Sequence, residues 1–269
     1  MATKLVFEKR PRIIQEIVDS LIMIKRSSRH ILRNTDQLLG AFFQPIMFLL
    51  LFSAVFGGSI GKALPPGVSY LNYLMAGIIV QTAAFGATTT AISVCNDLQK
   101  GIVDRFRSLP MSNLAVLNGH VVSDIFRNTI STIVMILAGL AIGFRATTSP
   151  MAWLKITGIL LLFTLAFSWL SAIVGVIAKS IEAVQWLTFV FIFPLTFASS
   201  AFAPTKDMSK GLRIFAENQP ITHIINAVRG LMLGDPVGNS GWLAVIWCIG
   251  TLVIAIPTAA ILFRRHANS

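Results

Sequence analysis

Six apolar stretches of about 20 residues limit what this chain can fold into more than any other feature. A helix of about 20 residues crosses the roughly 30 Å hydrocarbon core of a bilayer, because each residue adds about 1.5 Å. Only 12% of the 269 residues are charged, whereas soluble domains carry about 25%. The sequence therefore predicts one all-α integral membrane domain over residues 1–269 with six transmembrane helices, at about 37–57, 70–95, 113–144, 153–178, 183–202 and 242–263.

Residues 1–36 combine charged residues with apolar residues that recur at roughly helical spacing. They lack the continuous apolar core and small-residue cleavage site of a signal peptide. The pattern predicts an amphipathic helix that lies along the membrane surface, with Lys and Arg on its polar side. A helix that serves only as a topological anchor is the alternative. The apolar positions that we single out are Ile13, Ile17 and Leu21.

Residues 97–112, DLQKGIVDRFRSLPMS, form a long charged run between two apolar stretches. If the amino terminus lies inside the cell, the inner segments hold about twice as many Lys and Arg residues as the outer ones. Because these residues favour the cytoplasmic side, we predict a multi-pass protein of the cell membrane with both termini and residues 97–112 in the cytoplasm. Topology alone does not explain the mixed charges or the Phe, Leu and Pro of this run, which indicate contact with a soluble protein.

Residues 203–241 are too polar to span a bilayer, yet they contain apolar residues at helical spacing. Pro220 is a helix-start signal and Gly234 suits a helix end. We predict two short helices here that dip back into the outer leaflet as a re-entrant hairpin, packed on protein. An ordinary surface loop is the alternative.

Asp124 and Arg127 are charged residues within the predicted third span, three positions apart and so on one helix face. Charges within a span are costly unless they are paired or face the protein interior. Either this part of the helix stands in the membrane interface, or the two residues form a polar network against another helix.

The sequence predicts no catalytic residue and no metal site. The four histidines have no ligand-like spacing, and no hydrolase motif is present. Gly61-Lys62 is followed by Ala63, so the phosphate-binding loop of ATPases is also missing. No basic stripe interleaved with aromatic residues points to a nucleic acid. Any use of ATP and Mg would therefore require another chain.

Three segments resemble the type-2 ABC exporter permeases. Residues 101–112, GIVDRFRSLPMS, resemble the family's segment after the second span, and DRFRSLPMS is similar to the daunorubicin/doxorubicin-resistance branch. Residues 43–58 resemble its first span. Residues 218–222 and 227–231 resemble its segment before the last span, although Gln219 separates an Asn and a Pro that are adjacent in many members.

This resemblance implies a half-transporter that pairs with a second permease, a copy or a relative, and with two ABC ATPase subunits that bind ATP and Mg. The amphipathic helix within residues 12–30 would be the connecting helix. Residues 104–112 would be the cytoplasmic coupling helix that docks on the ATPase, through Asp104, Arg105, Phe106, Arg107, Leu109 and Pro110.

The implied activity is ATP-driven export of a hydrophobic or amphipathic cargo, a drug or a lipid. Two alternatives stay open: an ion-coupled carrier that uses Asp124 and Arg127, and a membrane assembly subunit that transports nothing. Aromatic and small polar residues of spans one, two and five are the predicted cargo path, namely Phe48, Phe52, Gln81, Thr88, Phe193 and Phe197.

Overall fold

The computed structural model describes residues 35–65, 67–101 and 113–266, and this part of the chain contains helices and no strands. The predicted connecting helix, with Ile13, Ile17 and Leu21, lies outside the described residues, as does the coupling segment from Asp104 to Pro110. The helices are α1 (Thr35–Ile60), α2 (Tyr70–Gly86), α3 (Thr88–Gln99), α4 (Asn113–Ile142), α5 (Pro150–Ile177), α6 (Ile181–Phe197), α7 (Lys210–Asn218), α8 (Pro220–Leu233) and α9 (Ser240–His266).

Five helical segments within the described chain are long and apolar enough to cross a membrane. They are Phe42–Ala63, Tyr70–Gln99, Val116–Ile142, Pro150–Ile177 and Ser240–Arg265. Helix α6 is apolar but has only 17 residues, which corresponds to about 26 Å of helix. The all-helical membrane fold is thus confirmed, while the count of six spans stays a prediction.

The helix boundaries follow from local capping chemistry. Ser149 and Ser180 accept hydrogen bonds from the first backbone N–H groups of α5 and α6. Pro150 and Pro220 occupy the first turns of α5 and α8, where the missing N–H has no cost. Gly234 ends α8 with a φ of 76°, a left-handed conformation that favours glycine. The predicted start and end signals of α8 therefore coincide with its observed limits.

The predicted second span is divided at Ala87 into α2 and α3. The backbone N–H of Thr90 donates to the Ala87 carbonyl at 3.0 Å, a tighter turn than the α-helical pattern. The Gly86 carbonyl is left to accept a hydrogen bond from the Arg127 side chain. The interruption is therefore held by a residue of another helix.

The predicted fifth span, 183–202, is too long by one turn, since α6 ends at Phe197. Pro194 lies inside α6 and cannot donate a backbone hydrogen bond. Residues 198–202 form a turn instead. Its backbone carbonyls are bound by side chains of α2 and α8, so the irregular backbone of this turn keeps hydrogen-bond partners.

The second and fourth candidate spans form the centre of the molecule. In the most apolar 18 residues of Tyr70–Gln99 and of Pro150–Ile177, 61% of the residues are buried, against 11% in the corresponding part of Phe42–Ala63. Gly175 allows the backbones of α5 and α3 to approach closely at Ala91. Helix α8 packs against α2, α5 and α9. Helix α1 is therefore peripheral, and much of its surface is free.

A candidate cargo groove and the polar contacts around it

An open groove of about 430 Å³ lies between α1, the α2–α3 pair and α6. Its wall combines aromatic rings with carboxamides and hydroxyls, and no charged side chain lines it among the described residues. Such a surface suits a cargo that is largely apolar and forms a few hydrogen bonds. The lining residues are Gln44, Phe48, Gln81, Phe85, Thr88, Gln185, Thr188, Phe189, Phe193 and Phe197.

Five of the predicted cargo-path residues line this groove, namely Phe48, Gln81, Thr88, Phe193 and Phe197. The sixth, Phe52, lies beside the groove rather than in its wall. Its ring is 5.7 Å from that of Phe48 and stacks on Phe202 at 4.6 Å, between ring centroids. The structure thus brings all six residues together, while their contact with cargo stays a prediction.

The other five lining residues were not predicted from the sequence. Gln185 and Phe189 precede Phe193 and Phe197 at intervals of four, so the four side chains form one stripe along α6. Gln44 stands four residues before Phe48 in the same way. Including the residues one helical turn away from each predicted residue would therefore have identified most of the groove wall.

Behind this wall, Asp124 and Arg127 form a buried salt bridge. One carboxylate oxygen of Asp124 accepts from Arg127 and the other accepts from the Ser168 hydroxyl of α5. Arg127 also donates to the Gly86 carbonyl at the break between α2 and α3. Both oxygens of the carboxylate are occupied, so the arrangement is that of a structural network between helices. These contacts join α4 to α5, while the depth of the pair in the membrane stays a prediction.

The position of Gly86 depends on the same network. A Cβ atom there would lie 2.9 Å from the carboxamide carbon of Asn128. The absence of a side chain at Gly86 therefore allows α4 to approach the break closely. Gly86 also lies next to Phe85 and close to Thr88 in the sequence, so it links the polar network to the groove wall.

Arg229 of α8 is a second buried arginine, and its burial was not predicted from the sequence. Its guanidinium donates to the carbonyls of Tyr73 (3.1 Å) and Ser200 (2.5 Å) and to the side chain of Asn226 (3.1 Å). It also lies 3.6 Å from the centroid of the Tyr73 ring, a cation–π contact. Arg229 therefore ties α8 to α2 and to the turn after α6.

The same turn is bound by three further side chains. The hydroxyl of Tyr73 donates to the Ser200 carbonyl at 3.0 Å, and that of Tyr70 donates to the Phe202 carbonyl at 2.9 Å. Gln219 caps α8 by accepting from the Ile221 N–H, and its side-chain amide donates to the carbonyls of Leu195 in α6 (2.9 Å) and of Ala198 in the turn (3.5 Å). The inserted glutamine thus joins α8 to α6.

At the opposite end of the bundle, the last turns of α3 contact two neighbouring helical regions. The Asp97 carboxylate lies 3.0 Å from Nε2 of His120 in α4. The side chain of Gln99 donates to the Lys179 carbonyl, between α5 and α6, at 2.9 Å. Both contacts involve α3, the helix that precedes the predicted coupling segment in the sequence, and one of them joins it to α4, the helix that follows that segment. No metal-ligating cluster occurs in the described ranges.

Comparison with known proteins shows which family this chain resembles. The profile of the family described as ABC-2 type transporter matches residues 19–233. The chain is 28% identical over 233 residues to the daunorubicin resistance ABC transporter permease protein DrrB1 of Streptomyces coeruleorubidus, covering 86% of this chain and 80% of that protein. It is 23% identical over 255 residues to the probable doxorubicin resistance permease DrrC of Mycobacterium tuberculosis strain H37Rv, covering 94% and 90%. Nodulation protein J of Rhizobium leguminosarum bv. viciae is 27% identical over 232 residues, covering 85% and 87%.

Proposed function

Because the chain belongs to the ABC-2 type transporter family and is the permease subunit of an ABC exporter, we propose that it exports a drug-like or lipid cargo along the groove between α1, α2–α3 and α6. The permease lies in the cell membrane and associates with ABC ATPase subunits, which are separate chains. We propose further that two ATPases bind ATP and Mg, that a second permease completes the transporter, and that both termini are cytoplasmic.

The observation that carries this proposal is the groove itself. It collects residues from three helical regions into one wall of rings, carboxamides and hydroxyls. Phe193 and Phe197 stack with centroids 4.1 Å apart, so they present a continuous aromatic surface. The names of two relatives refer to the aromatic drugs daunorubicin and doxorubicin, which supports a cargo of this class.

The coupling role of residues 104–112 rests on their resemblance to the family's segment and on their chemistry. Arg105 and Arg107 can form charge-assisted hydrogen bonds with an ATPase, and Phe106 and Leu109 can anchor in an apolar pocket. Of the helices on either side, α4 carries both Asp124 and Arg127 of the buried network, and α3 begins two residues after Gly86, whose carbonyl Arg127 binds. Movement received at this segment therefore has a short route to the groove.

Charge reversal tests the coupling role. The permease carrying R105E and R107E is co-expressed with the cognate ATPase, and both co-purification and ATP-driven doxorubicin transport into inside-out vesicles are measured. We expect both to be lost, because reversed charges repel the docking surface. Lys206 and Lys210, exposed and predicted to lie outside, provide the control in K206E/K210E. Full transport by R105E/R107E would refute the proposed coupling.

Substitution of the α6 aromatics tests the groove. Phe193 lines the groove, whereas Phe191, on the same helix, is exposed outside it. We expect F193A to raise the doxorubicin concentration needed for half-maximal transport, with F191A unchanged. The opposite order, with F191A impaired and F193A unaffected, would show that cargo passes along another face of α6.

A further inference from the structure

Gln99 makes a contact that the proposed function does not explain. Its side-chain amide donates to the Lys179 carbonyl at 2.9 Å, joining the end of α3 to the connection between α5 and α6. Both residues are exposed, so the hydrogen bond lies on the surface of the bundle and contributes little to its core. A hydrogen bond at this place can set the position of α6 relative to α3.

Tight packing lies directly beneath this bond. Ala91 and Cys95 of α3 are buried against Val184 of α6. The backbone of Ala91 also abuts Gly175 of α5 so closely that a Cβ atom at Gly175 would collide with it. The last turns of α3 and the first turns of α6 are therefore in firm contact, and the Gln99 bond fixes their register at the surface.

Helix α6 begins immediately after the bonded carbonyl. Ser180 caps it by accepting a hydrogen bond from the Ala183 N–H at 3.1 Å. Groove-lining residues then follow from Gln185 to Phe197 along the same helix. A displacement at Lys179 therefore reaches the groove through one continuous rigid element.

The contact between Asp97 and His120 has a complementary effect. It joins α3 to α4 at 3.0 Å, with the Asp97 side chain 11% and the His120 side chain 13% exposed. In the sequence, these two helices are the ones that precede and follow residues 102–112. Because this contact holds α3 and α4 together, a force on the segment that connects them moves both helices as one unit.

We propose that Gln99 is a positioning residue that transmits movement of the ATPase-coupling segment to α6, and through α6 to the cargo groove. The inference rests on the proposed function, which puts the ATPase contact at residues 104–112. A single hydrogen bond shifts an equilibrium between two states by about 2- to 10-fold. Its loss therefore weakens coupling without unfolding the protein.

The test uses Q99E, which keeps the shape of Gln99 and removes its amide donor. Permease and ATPase are reconstituted together, and doxorubicin transport is measured per ATP hydrolysed. We expect this ratio to fall by about 2- to 10-fold, with co-purification and the ATPase rate preserved. The matched control is N218A, which removes another exposed amide-to-carbonyl bond, from Asn218 to Ile214 at 2.8 Å, and leaves the ratio unchanged.

A covalent substitute for the bond provides a second measurement. In a C95A background, Q99C and K179C are joined by a short reducible bis-methanethiosulfonate linker. We expect the linker to restore the ratio and its reduction to lower it again. Transport that stops when the linker is present would show that the contact must open during the cycle, which overturns the inference.

The outcomes for the two proposals differ. If Q99E transports like the wild type while R105E/R107E loses the ATPase, the inference about Gln99 is wrong and the proposed function stands. If R105E/R107E transports normally, the proposed function fails and the inference fails with it. If Q99E loses the ATPase altogether, recovery of ATPase binding and transport in the linked Q99C/K179C protein supports the inference, and its absence refutes the inference.

Discussion

Two buried arginines, Arg127 and Arg229, hold interrupted helices in two different ways. Each has 9% or less of its surface exposed, and each donates to backbone carbonyls where a helix is broken or has ended. Arg127 has a carboxylate partner, Asp124, three residues away. Arg229 has no carboxylate partner among the described residues, and carbonyls, an amide oxygen and the Tyr73 ring surround it instead.

The difference shows two solutions to the same electrostatic problem. A buried charge must be compensated, and either an opposite charge or several oriented dipoles can do this. The Asp124–Arg127 pair consists of side chains, so substitution can remove both charges together. The main partners of Arg229 belong to the backbone, so no second substitution can remove them. This contrast leads to four predictions.

The largest effect is expected for Asp124→Leu. It leaves the Arg127 charge buried with the Gly86 carbonyl as its remaining partner, and arginine cannot lose its proton to compensate. We expect a loss of about 3 to 5 kcal/mol in the free energy of unfolding. Denaturant titration in detergent micelles measures it.

The double variant D124L/R127L is the matched control for that experiment. Because it removes both charges, we expect it to be more stable than D124L alone. A double variant that is less stable than D124L would show that Arg127 stabilises the α2–α3 break independently of Asp124.

A somewhat smaller loss is expected for Arg229→Met. The substitution keeps much of the apolar stem but leaves the carbonyls of Tyr73 and Ser200 with fewer donors. Since each unpaired buried group costs about 1 to 3 kcal/mol, we expect a loss of about 2 to 4 kcal/mol, partly offset by the Tyr73 hydroxyl that still reaches Ser200. R229K, which retains the charge without the planar fork, is expected to be intermediate. Wild-type stability of R229M would refute the importance of these dipoles.

The glycines at the two interruptions extend the comparison. A Cβ atom at Gly77 would lie 2.7 Å from the Ala201 Cα, within the turn that Arg229 binds, whereas one at Gly86 meets the side chain of Asn128. A side chain can rotate away more easily than a backbone can shift. We therefore expect G77A to lose about 1 to 3 kcal/mol and G86A to lose less.

Gly158 in α5 has open space around it and supplies the control for both glycine variants. Thermal unfolding of G77A, G86A and G158A under identical detergent conditions ranks the three variants by stability. Equal effects at Gly77 and Gly86 would indicate that the turn at residues 198–202 is as adaptable as the Asn128 side chain.

The smallest effect concerns an exposed arginine, Arg213, which donates to Glu217 at 2.8 Å on the surface of α7. This hydrogen bond, with a second one from Thr205, lowers the pKa of Glu217 from its ordinary 4.5. A lowered pKa in the folded state gives stability that is present above pH 4.5 and is lost as the pH falls through the folded-state value. Glu217→Gln should therefore slightly reduce the stability difference between neutral and acidic pH. Added salt should weaken the effect, because the pair is exposed. An unchanged pH profile would show that the pair contributes nothing.

Local signals predicted much of the fold. Apolar stretches located most of the membrane helices, Pro220 and Gly234 marked the limits of α8, and the spacing of Asp124 and Arg127 identified their pairing. The break at Ala87 was not predicted, because it depends on an arginine that is distant in the sequence. A backbone carbonyl that has no partner in its own helix and is bound by a side chain of another helix leaves no periodic pattern in the sequence.

The candidate site shows the same limit. Groove residues on α6 share a spacing that the sequence displays, whereas the contribution of Gln44 and Phe85 depends on how α1 and α2 meet. The role of Arg229 was missed, although its helix was predicted, because the carbonyls that it binds belong to Tyr73 and Ser200, which are distant in the sequence. The residues with local partners were therefore easier to identify than those with distant ones.

Helix α6 is anchored at both ends. At its start the preceding Lys179 carbonyl is held by Gln99, and the turn after its end is held by Tyr70, Tyr73 and Arg229. Between these anchors it is buried on one face only. A rod fixed in this way cannot slide along its length, but it can turn about its axis or bow outward. Either motion would change the width of the groove while the hydrogen bonds at both ends of α6 stay intact.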